Sequence, residues 1–105
     1  MEDSVGQLIE VEHVVLGDVA IFDTDRSLSG QDGETFVGAR DAKDAGTFPG
    51  QVAAALYTHE PRLASVYVYS NTISVRRSKE WTDAQAAEAS DVIRNFLVYY
   101  DENRE

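Results

Sequence analysis

The sequence has no cysteine, and this absence excludes several kinds of chemistry at once. Disulfide bonds, thiolate nucleophiles, zinc-finger sites and the usual iron–sulfur ligands all require cysteine sulfur. The two histidines, His13 and His59, do not have the spacing of a His-x-x-x-His metal site, and no nucleophile lies near them in the sequence. We therefore expect no catalytic residue, no cofactor and no bound metal.

Long apolar runs are also absent from the 105 residues. A membrane-spanning helix needs about 20 apolar residues, and the start Met-Glu-Asp-Ser lacks the positive charge of a signal peptide. We expect a cytoplasmic protein without membrane contact. Hydrophobic residues make up 43% of the chain, too many for a disordered protein. The sequence thus predicts a single domain over residues 1–105, with a frayed terminus at 1–7.

Basic residues are few, with seven arginines and two lysines against nineteen acidic residues. The formal net charge of −10 repels nucleic acid and anionic membranes, and it favours basic partners or high salt. This acidic, lysine-poor composition resembles that of proteins from salt-loving (halophilic) organisms. The alternative is an ordinary acidic protein whose charge keeps it soluble. In either case, we expect no nucleic-acid binding.

Five stretches of the sequence have the alternation or the composition of β-strands. They are residues 8–15, 19–22, 34–38, 65–70 and 72–77. Turn residues dominate 23–33, and 40–46 has the Asp, Lys and Gly content of a connector. The last two strands meet at Ser70-Asn71, which suits a tight turn because Asn71 tolerates a positive φ better than most residues.

Two helices are predicted from capping residues and apolar periodicity. Pro49 fits the first turn of a helix at 47–57, and a second helix begins at Thr82, which forms a capping box with Gln85. The apolar stripe of the second helix comprises Ala86, Ala89, Val92, Ile93, Phe96, Leu97 and Tyr100. The sequence therefore predicts an α+β fold: a small antiparallel sheet of three to five strands, with two helices packed on one face.

The hairpin at 65–77 has two chemically different faces. Alternation separates an apolar face, formed by Val66, Val68, Ile73 and Val75, from a second face that carries Tyr67, Tyr69 and Arg76. Tyrosine and arginine are favoured at protein interfaces, so these three are the candidate partner-binding residues. Two alternatives stay open: a cross-strand aromatic pair that only stabilises a solvated sheet, or a flipped sheet with the tyrosines in the core.

Three of the nine basic residues, Arg76, Arg77 and Lys79, lie within four positions. Beside tyrosines on a sheet, such a group is faintly similar to a platform for single-stranded nucleic acid. The net charge of −10 opposes that interpretation. We expect these bases instead to offset nearby acids such as Glu80 and Asp83.

Several short segments, taken in order, also carry a family resemblance. They are Asp18-Val-Ala-Ile-Phe22, Pro49 with Leu56-Tyr57, Glu60-Pro-Arg-Leu63, Ser65-Val-Tyr-Val68, Thr72-Ile-Ser-Val-Arg-Arg77 and Trp81. From about residue 19 to residue 96, the chain resembles the N-terminal domain of Nfu-type (NifU-like) iron–sulfur scaffold proteins. The resemblance implies a small α+β domain that serves protein contacts.

The chain also departs from that family in ways that bear on function. Val15-Leu-Gly-Asp18 stands in place of the family's Thr-Pro-Asn-Pro-Asn run, and Arg62 stands where glycine is usual. Nfu scaffolds hold their cluster on a separate Cys-x-x-Cys domain, whereas this sequence has no cysteine. The resemblance therefore implies a non-enzymatic accessory or adaptor domain. It would bind protein partners, including iron–sulfur assembly components, without binding a cluster itself.

Two functions of other classes remain open at this point. The chain could be a structural subunit that buries the tyrosine strip in a homodimer, since its oligomeric state does not follow from the sequence. It could also be a small ligand-binding or enzymatic domain that uses His13, His59 and loop acids, among them Asp23 and Asp25. The three hypotheses differ in where they place the functional residues.

Overall fold

The computed structural model describes residues 9–29 and 32–102. The terminus predicted to fray, 1–7, lies outside these residues, as do positions 30 and 31 of the predicted turn segment. The elements in chain order are β1 Val11–Leu16, β2 Val19–Thr24, β3 Glu34–Phe36, α1 Ala39–Asp44, α2 Phe48–His59, β4 Ser65–Tyr69, β5 Thr72–Arg76 and α3 Asp83–Glu102.

The five strands form one sheet in the order β1-β2-β5-β4-β3, and every neighbouring pair is antiparallel. The predicted α+β class with an antiparallel sheet is therefore confirmed. Strand β5 lies at the centre, so the hairpin β4–β5 is flanked by β3 on one side and by β2 on the other. Alternating burial along the strands shows that the helices cover one face, here called the inner face.

The core lies between the inner face and helices α2 and α3. The four apolar hairpin residues Val66, Val68, Ile73 and Val75 are completely buried, which excludes the flipped sheet. They pack in one cluster with Phe22 of β2, Leu56 of α2 and Ile93 of α3. Each large side chain buried in this way contributes about 1.5–3 kcal/mol relative to remaining exposed.

Helix α3 begins as the sequence predicts. Thr82 Oγ1 accepts a hydrogen bond from the Gln85 amide at 3.1 Å, and Gln85 Oε1 accepts one from the Thr82 amide at 3.1 Å. This reciprocal pair is a capping box. Trp81 precedes it and is buried, with its ring edge-on to Phe22 at 5.9 Å and its Nε1 donating to the Val75 carbonyl. Although α3 has 20 residues, no helix in the described part of the chain has both the length and the apolar content to cross a membrane.

The stretch 40–46 differs from its prediction as a connector, because Ala39–Asp44 forms the short helix α1. Only Ala42 of this helix is buried, so no apolar stripe marks it in the sequence. Two other features fix it: Asp41 Oδ2 accepts a hydrogen bond from the Val37 amide, and Gly38 enters the helix at a φ of 99°. The helix packs on α2 and touches β3, so the fold contains three helices where two were expected.

The turn of the central hairpin also differs from its prediction. The positive φ, 57°, belongs to Ser70 and not to Asn71. Asn71 acts through hydrogen bonds instead: its Nδ2 donates to the Thr24 carbonyl, and its own carbonyl accepts from the Thr24 amide, both at 2.9 Å. The Ser70 carbonyl accepts from the Leu28 amide at 2.6 Å. The hairpin tip is thereby joined to the segment that follows β2.

Tyr57 connects helix α2 to the junction between β3 and α1. Its ring is 1% exposed, and its hydroxyl donates to the Phe36 carbonyl at 3.0 Å and accepts from the Gly38 amide at 2.9 Å. Buried backbone groups that lack a hydrogen-bond partner are costly, so this hydroxyl satisfies two groups where the sheet ladder ends. A buried tyrosine with both hydrogen bonds made is a structural residue.

Candidate interaction surface

The sheet face opposite the helices, here called the outer face, carries the three residues that the sequence singled out. Tyr67 and Tyr69 of β4 are 41% and 46% exposed, and Arg76 of β5 is exposed as well. They project outward because their strand neighbours Val66, Val68 and Val75 fill the core. The structure thus places all three candidate residues on one surface.

The two tyrosines form a stacked pair along a single strand. Their ring centroids are 6.3 Å apart and their planes differ by 7°. They are not a cross-strand pair, since Ser74 lies opposite Tyr67 and Thr72 lies opposite Tyr69. Stacked aromatic pairs contribute about 0.5–1.5 kcal/mol beyond the area that they bury. The pair therefore presents a pre-ordered aromatic surface.

Gly33, just before β3, leaves room for the Tyr67 ring. A Cβ atom at residue 33 would lie 2.4 Å from the Tyr67 hydroxyl oxygen and 2.6 Å from Cζ. The ring can occupy its place only because residue 33 has no side chain. The Tyr67 hydroxyl end thus lies close to the backbone that leads into β3.

The register of the strands arranges the outer face in three rows across the sheet. The first row is Glu12, Asp23, Thr72 and Tyr69; the second is Val14, Ile21, Ser74 and Tyr67; the third is Leu16, Val19, Arg76 and Ser65. The apolar side chains of β1 and β2 occupy the middle and third rows, Glu12 and Asp23 lie in the first row, and Arg76 lies in the third. The outer face is therefore polarised along the strand direction.

Two exposed apolar residues on this face were not identified from the sequence. Val14 is 54% exposed and Leu16 is 58% exposed, although both belong to β1. A signal was present, since Val14 alternates with Glu10 and Glu12 on the polar side of its strand. The sequence analysis did not connect it with the tyrosines, because that connection depends on β1 and β5 both flanking β2.

The structure separates Arg76 from the other bases near it. Arg77 Nε lies 3.0 Å from Glu60 Oε2, and its guanidinium lies 5.3 Å from the centre of the Trp81 ring. Its main partner is thus Glu60 and not the expected acids: the contact with Glu80 is to the backbone carbonyl. By contrast, the Arg76 guanidinium has no ion pair or hydrogen bond among residues 9–29 and 32–102. Arg77 is structural, whereas Arg76 is free to bind.

An open acidic groove borders the outer face at its negative end. It is lined by Glu10, Glu12, Asp23, Thr24 and Asp25. Partial burial acts to raise the pKa of Asp25, but hydrogen bonds from Arg26 and from the Glu10 amide, with the Arg26 charge, lower the pKa overall. Within the described part of the chain, no three histidine or acidic side chains converge as metal ligands would.

The two histidines lie apart and have separate partners. His13 points into the protein from β1, and its Nδ1 lies 3.1 Å from the hydroxyl of Ser90, a buried residue of α3. His59 ends α2, and its Nε2 lies 3.8 Å from a carboxylate oxygen of Glu88. The structure does not bring either histidine to the loop acids Asp23 and Asp25, which the enzymatic hypothesis had placed with them.

Comparison with known proteins does not assign this chain to a family. No protein-family model matches the sequence, no curated protein matches it, and no solved structure matches the fold. The outer face is therefore the feature of this chain that bears on its function.

Proposed function

We propose that the chain is a non-enzymatic accessory or adaptor domain that binds another protein through the outer face. The observation that supports this most strongly is the exposed, stacked Tyr67–Tyr69 pair on β4, on the same face as the exposed apolar residues Val14 and Leu16 of β1, with β2 and β5 between them. Exposed apolar side chains grouped on one face of a small protein indicate an interaction site. Tyrosines contribute large contact area at low entropic cost, because only two side-chain torsions must be fixed.

The outer face has the layout of a protein-binding surface. Its apolar residues are bordered by Glu12 and Asp23 at one end and by Arg76 at the other, and interfaces likewise combine apolar contact with charged residues at the rim. The opposite side of the sheet packs on the hydrophobic core, which holds the strands of this surface in place. Binding therefore requires little further ordering of the backbone. With a net charge of −10, the chain associates most readily with a partner surface that offers basic groups to the acidic end.

The process that we propose is iron–sulfur assembly, acting in trans. This part rests on the resemblance of residues 19–96 to the Nfu N-terminal domain, including Ser65-Val-Tyr-Val68, a segment that forms most of β4. The chain would then contribute contacts to assembly components that carry the cluster themselves. Its own sequence has no cysteine for that role.

A comparative capture experiment tests the proposal. The wild-type chain, a Tyr67→Ala/Tyr69→Ala variant and a Tyr99→Ala control are immobilised and exposed to extract from the native source. Tyr99 is a suitable control because it is 64% exposed on α3, away from the sheet. We expect iron–sulfur assembly proteins with the wild type and the control, and their loss with the double variant.

Two results would count against the proposal. If the double variant retained every partner of the wild type, the outer face would not be the contact surface. If the partners depended on Tyr67 and Tyr69 but included no iron–sulfur assembly protein, the contact function would stand and the proposed process would be wrong.

A further inference from the structure

We infer that the outer face binds a second copy of this chain, face to face, about a two-fold axis that crosses the strands along the Val14–Ile21–Ser74–Tyr67 row. The inference rests on the proposed function of the outer face as a contact surface, and it adds a second occupant of that face, which would compete there with other protein partners. What identifies this partner is the distribution of charge on the face. In a two-fold dimer the same surface of both copies forms the interface, and each contact occurs twice. The two ends of the outer face must therefore complement one another.

The charges on the outer face are separated and not paired with each other. Asp23 and Glu12 lie in the first row, whereas Arg76 lies in the third, four residues along the strands. The cross-strand neighbours of Arg76 are Val19 and Ser65, neither of which carries charge. Within the paired strands, the outer face thus carries acids in one end row and Arg76 in the other, and exposed Asp18 lies in the β1–β2 turn just beyond the Arg76 row.

A two-fold axis in the plane of the face can run either parallel to the strands or across them. Only the axis across the strands places opposite charges against each other. An axis parallel to the strands would place the Arg76 row of one copy over the Arg76 row of the other. An axis across the strands exchanges the two ends and places the acidic row over the Arg76 row, twice in each dimer. Like-charge contact opposes association, whereas complementary contact favours it and fixes the register.

The strand order brings the charges of the two copies within reach. With the axis across the strands, each strand lies over its counterpart, so Thr72 lies opposite the second copy's Arg76. Asp23 pairs with Thr72 on the neighbouring strand, which is about 4.8 Å away. Aligned sheets pack about 10 Å apart, and an extended arginine side chain covers most of that distance. We therefore assign the contact between Arg76 and the second copy's Asp23.

The size of the face indicates a reversible dimer. Five strands at about 4.8 Å and five residues at about 3.3 Å give a face of roughly 20 Å by 15 Å. The two copies would bury on the order of 600–900 Å² together, less than the ~1,200–2,000 Å² of standard stable interfaces. We expect a dissociation constant between about 10 μM and 1 mM.

Salt should strengthen this association. Each copy carries a net charge of −10, so two copies repel one another through solvent. Raising the ionic strength from 0.15 M to 1 M shortens the screening length from about 8 Å to about 3 Å and removes most of that repulsion. The contacts between Arg76 and Asp23 lie at the two ends of the face and are also screened, but they act over shorter distances than the repulsion between the two whole copies and so lose less of their strength.

A charge-exchange experiment tests both the partner and the register. Arg76→Glu places acid against acid at both contacts, and Asp23→Arg places base against base, so we expect each variant alone to associate at least about 30-fold more weakly. Mixed in equal amounts, the two variants have complementary charges at both contacts. We expect the mixture to form a heterodimer close to wild-type affinity, measured by sedimentation from 10 μM to about 1 mM.

Matched controls separate the contact from net charge. Arg40→Glu and Asp44→Arg change the charge by the same amounts at exposed positions of α1, on the helix side of the sheet. Both should associate as the wild type does. Circular dichroism of each variant checks that the fold is retained, and because Arg76 has no side-chain partner within the described chain, its replacement should not unfold it.

Other outcomes overturn the inference. A dimer that persists in Arg76→Glu uses another surface, such as the β1 edge, and a mixture of the two variants that stays monomeric refutes the register. A wild-type chain that is monomeric at about 1 mM in low and high salt refutes self-association. If the wild-type chain is monomeric but Tyr67→Ala/Tyr69→Ala still abolishes partner capture, self-association is refuted and the proposed contact function stands. If the double variant also keeps every partner, self-association and the contact function are both refuted.

Discussion

Replacing Tyr57 with phenylalanine removes one oxygen atom from a buried ring and leaves the hydrocarbon packing almost unchanged. That oxygen makes two hydrogen bonds, to the Phe36 carbonyl at 3.0 Å and from the Gly38 amide at 2.9 Å. No other side chain in the described structure satisfies these two backbone groups at the end of β3. The substitution therefore isolates the contribution of one hydroxyl to the stability of the fold.

The expected loss follows from the surroundings of the two groups. Phe36 is 3% exposed, so water cannot easily replace the hydroxyl at its carbonyl, and an unsatisfied buried acceptor costs about 1–3 kcal/mol. Gly38 is half-buried, so its amide can recover part of its hydrogen bonding, and we assign it about 1 kcal/mol. The free energy of unfolding should fall by about 2–4 kcal/mol, a large part of the ~5–15 kcal/mol typical of a domain.

Urea and thermal unfolding of Tyr57→Phe measure this loss. At about 4–8 °C per kcal/mol for a domain near this size, we expect the midpoint temperature to fall by at least about 8 °C. Tyr69→Phe is the matched control, because the Tyr69 ring is 46% exposed and its hydroxyl has no partner in the described residues. This substitution should change the free energy of unfolding by less than about 0.5 kcal/mol. Equal stability of the two variants would refute the argument that the Tyr57 hydroxyl bridges β3 and α1.

Gly50→Ala should destabilise the protein, because the new Cβ would lie 2.6 Å from the Ala42 carbonyl oxygen. This clash should outweigh alanine's advantage of about 1 kcal/mol over glycine in a helix. A raised midpoint in thermal unfolding would contradict the prediction. Arg77→Lys should cost about 1–3 kcal/mol in urea unfolding, since lysine cannot reproduce the ion pair and the aromatic contact together, while Arg76→Lys should be neutral. The lowered pKa of Asp25 means that its ionised form stabilises the fold at pH values above its ordinary 3.8, and that this contribution is lost as the pH falls through the folded-state pKa. Asp25→Asn should therefore unfold with a weaker pH dependence below about pH 4, and an unchanged acid titration would refute that assignment.

Much of the fold follows from local sequence patterns. The alternation at 65–77 defines the central hairpin, and the Thr82–Gln85 capping box defines the start of α3, because both signals act between residues close in sequence. Helix α1 could not be predicted in this way. Its six residues are held by packing on α2 and by the unusual backbone of Gly38, which depend on the completed structure.

The candidate surface was predicted only in part, for a related reason. Alternation within one hairpin suffices to place Tyr67, Tyr69 and Arg76 on one face. Adding Val14 and Leu16 requires the order of all five strands, and with it the pairing of residues more than 40 positions apart. Period-two patterns indicate which residues share a face of one strand, but they do not indicate which strands are neighbours.

The composition of the outer face is more than a consequence of strand propensity. Propensity explains the valines and the isoleucine, but leucine is not among the residues that strands favour, and Leu16 is 58% exposed. Propensity also has no bearing on charge, whereas the face separates Asp23 from Arg76 by the full length of the paired strands. A face selected only to be solvated would gain by placing these charges on opposing residues of β2 and β5, where cross-strand pairs are stabilising. The sheet instead places Val19 opposite Arg76, which leaves the Arg76 charge available to a surface laid over it, and Thr72 opposite Asp23, whose Oδ1 accepts a hydrogen bond from Thr72 Oγ1 at 2.9 Å and keeps its second oxygen for another partner.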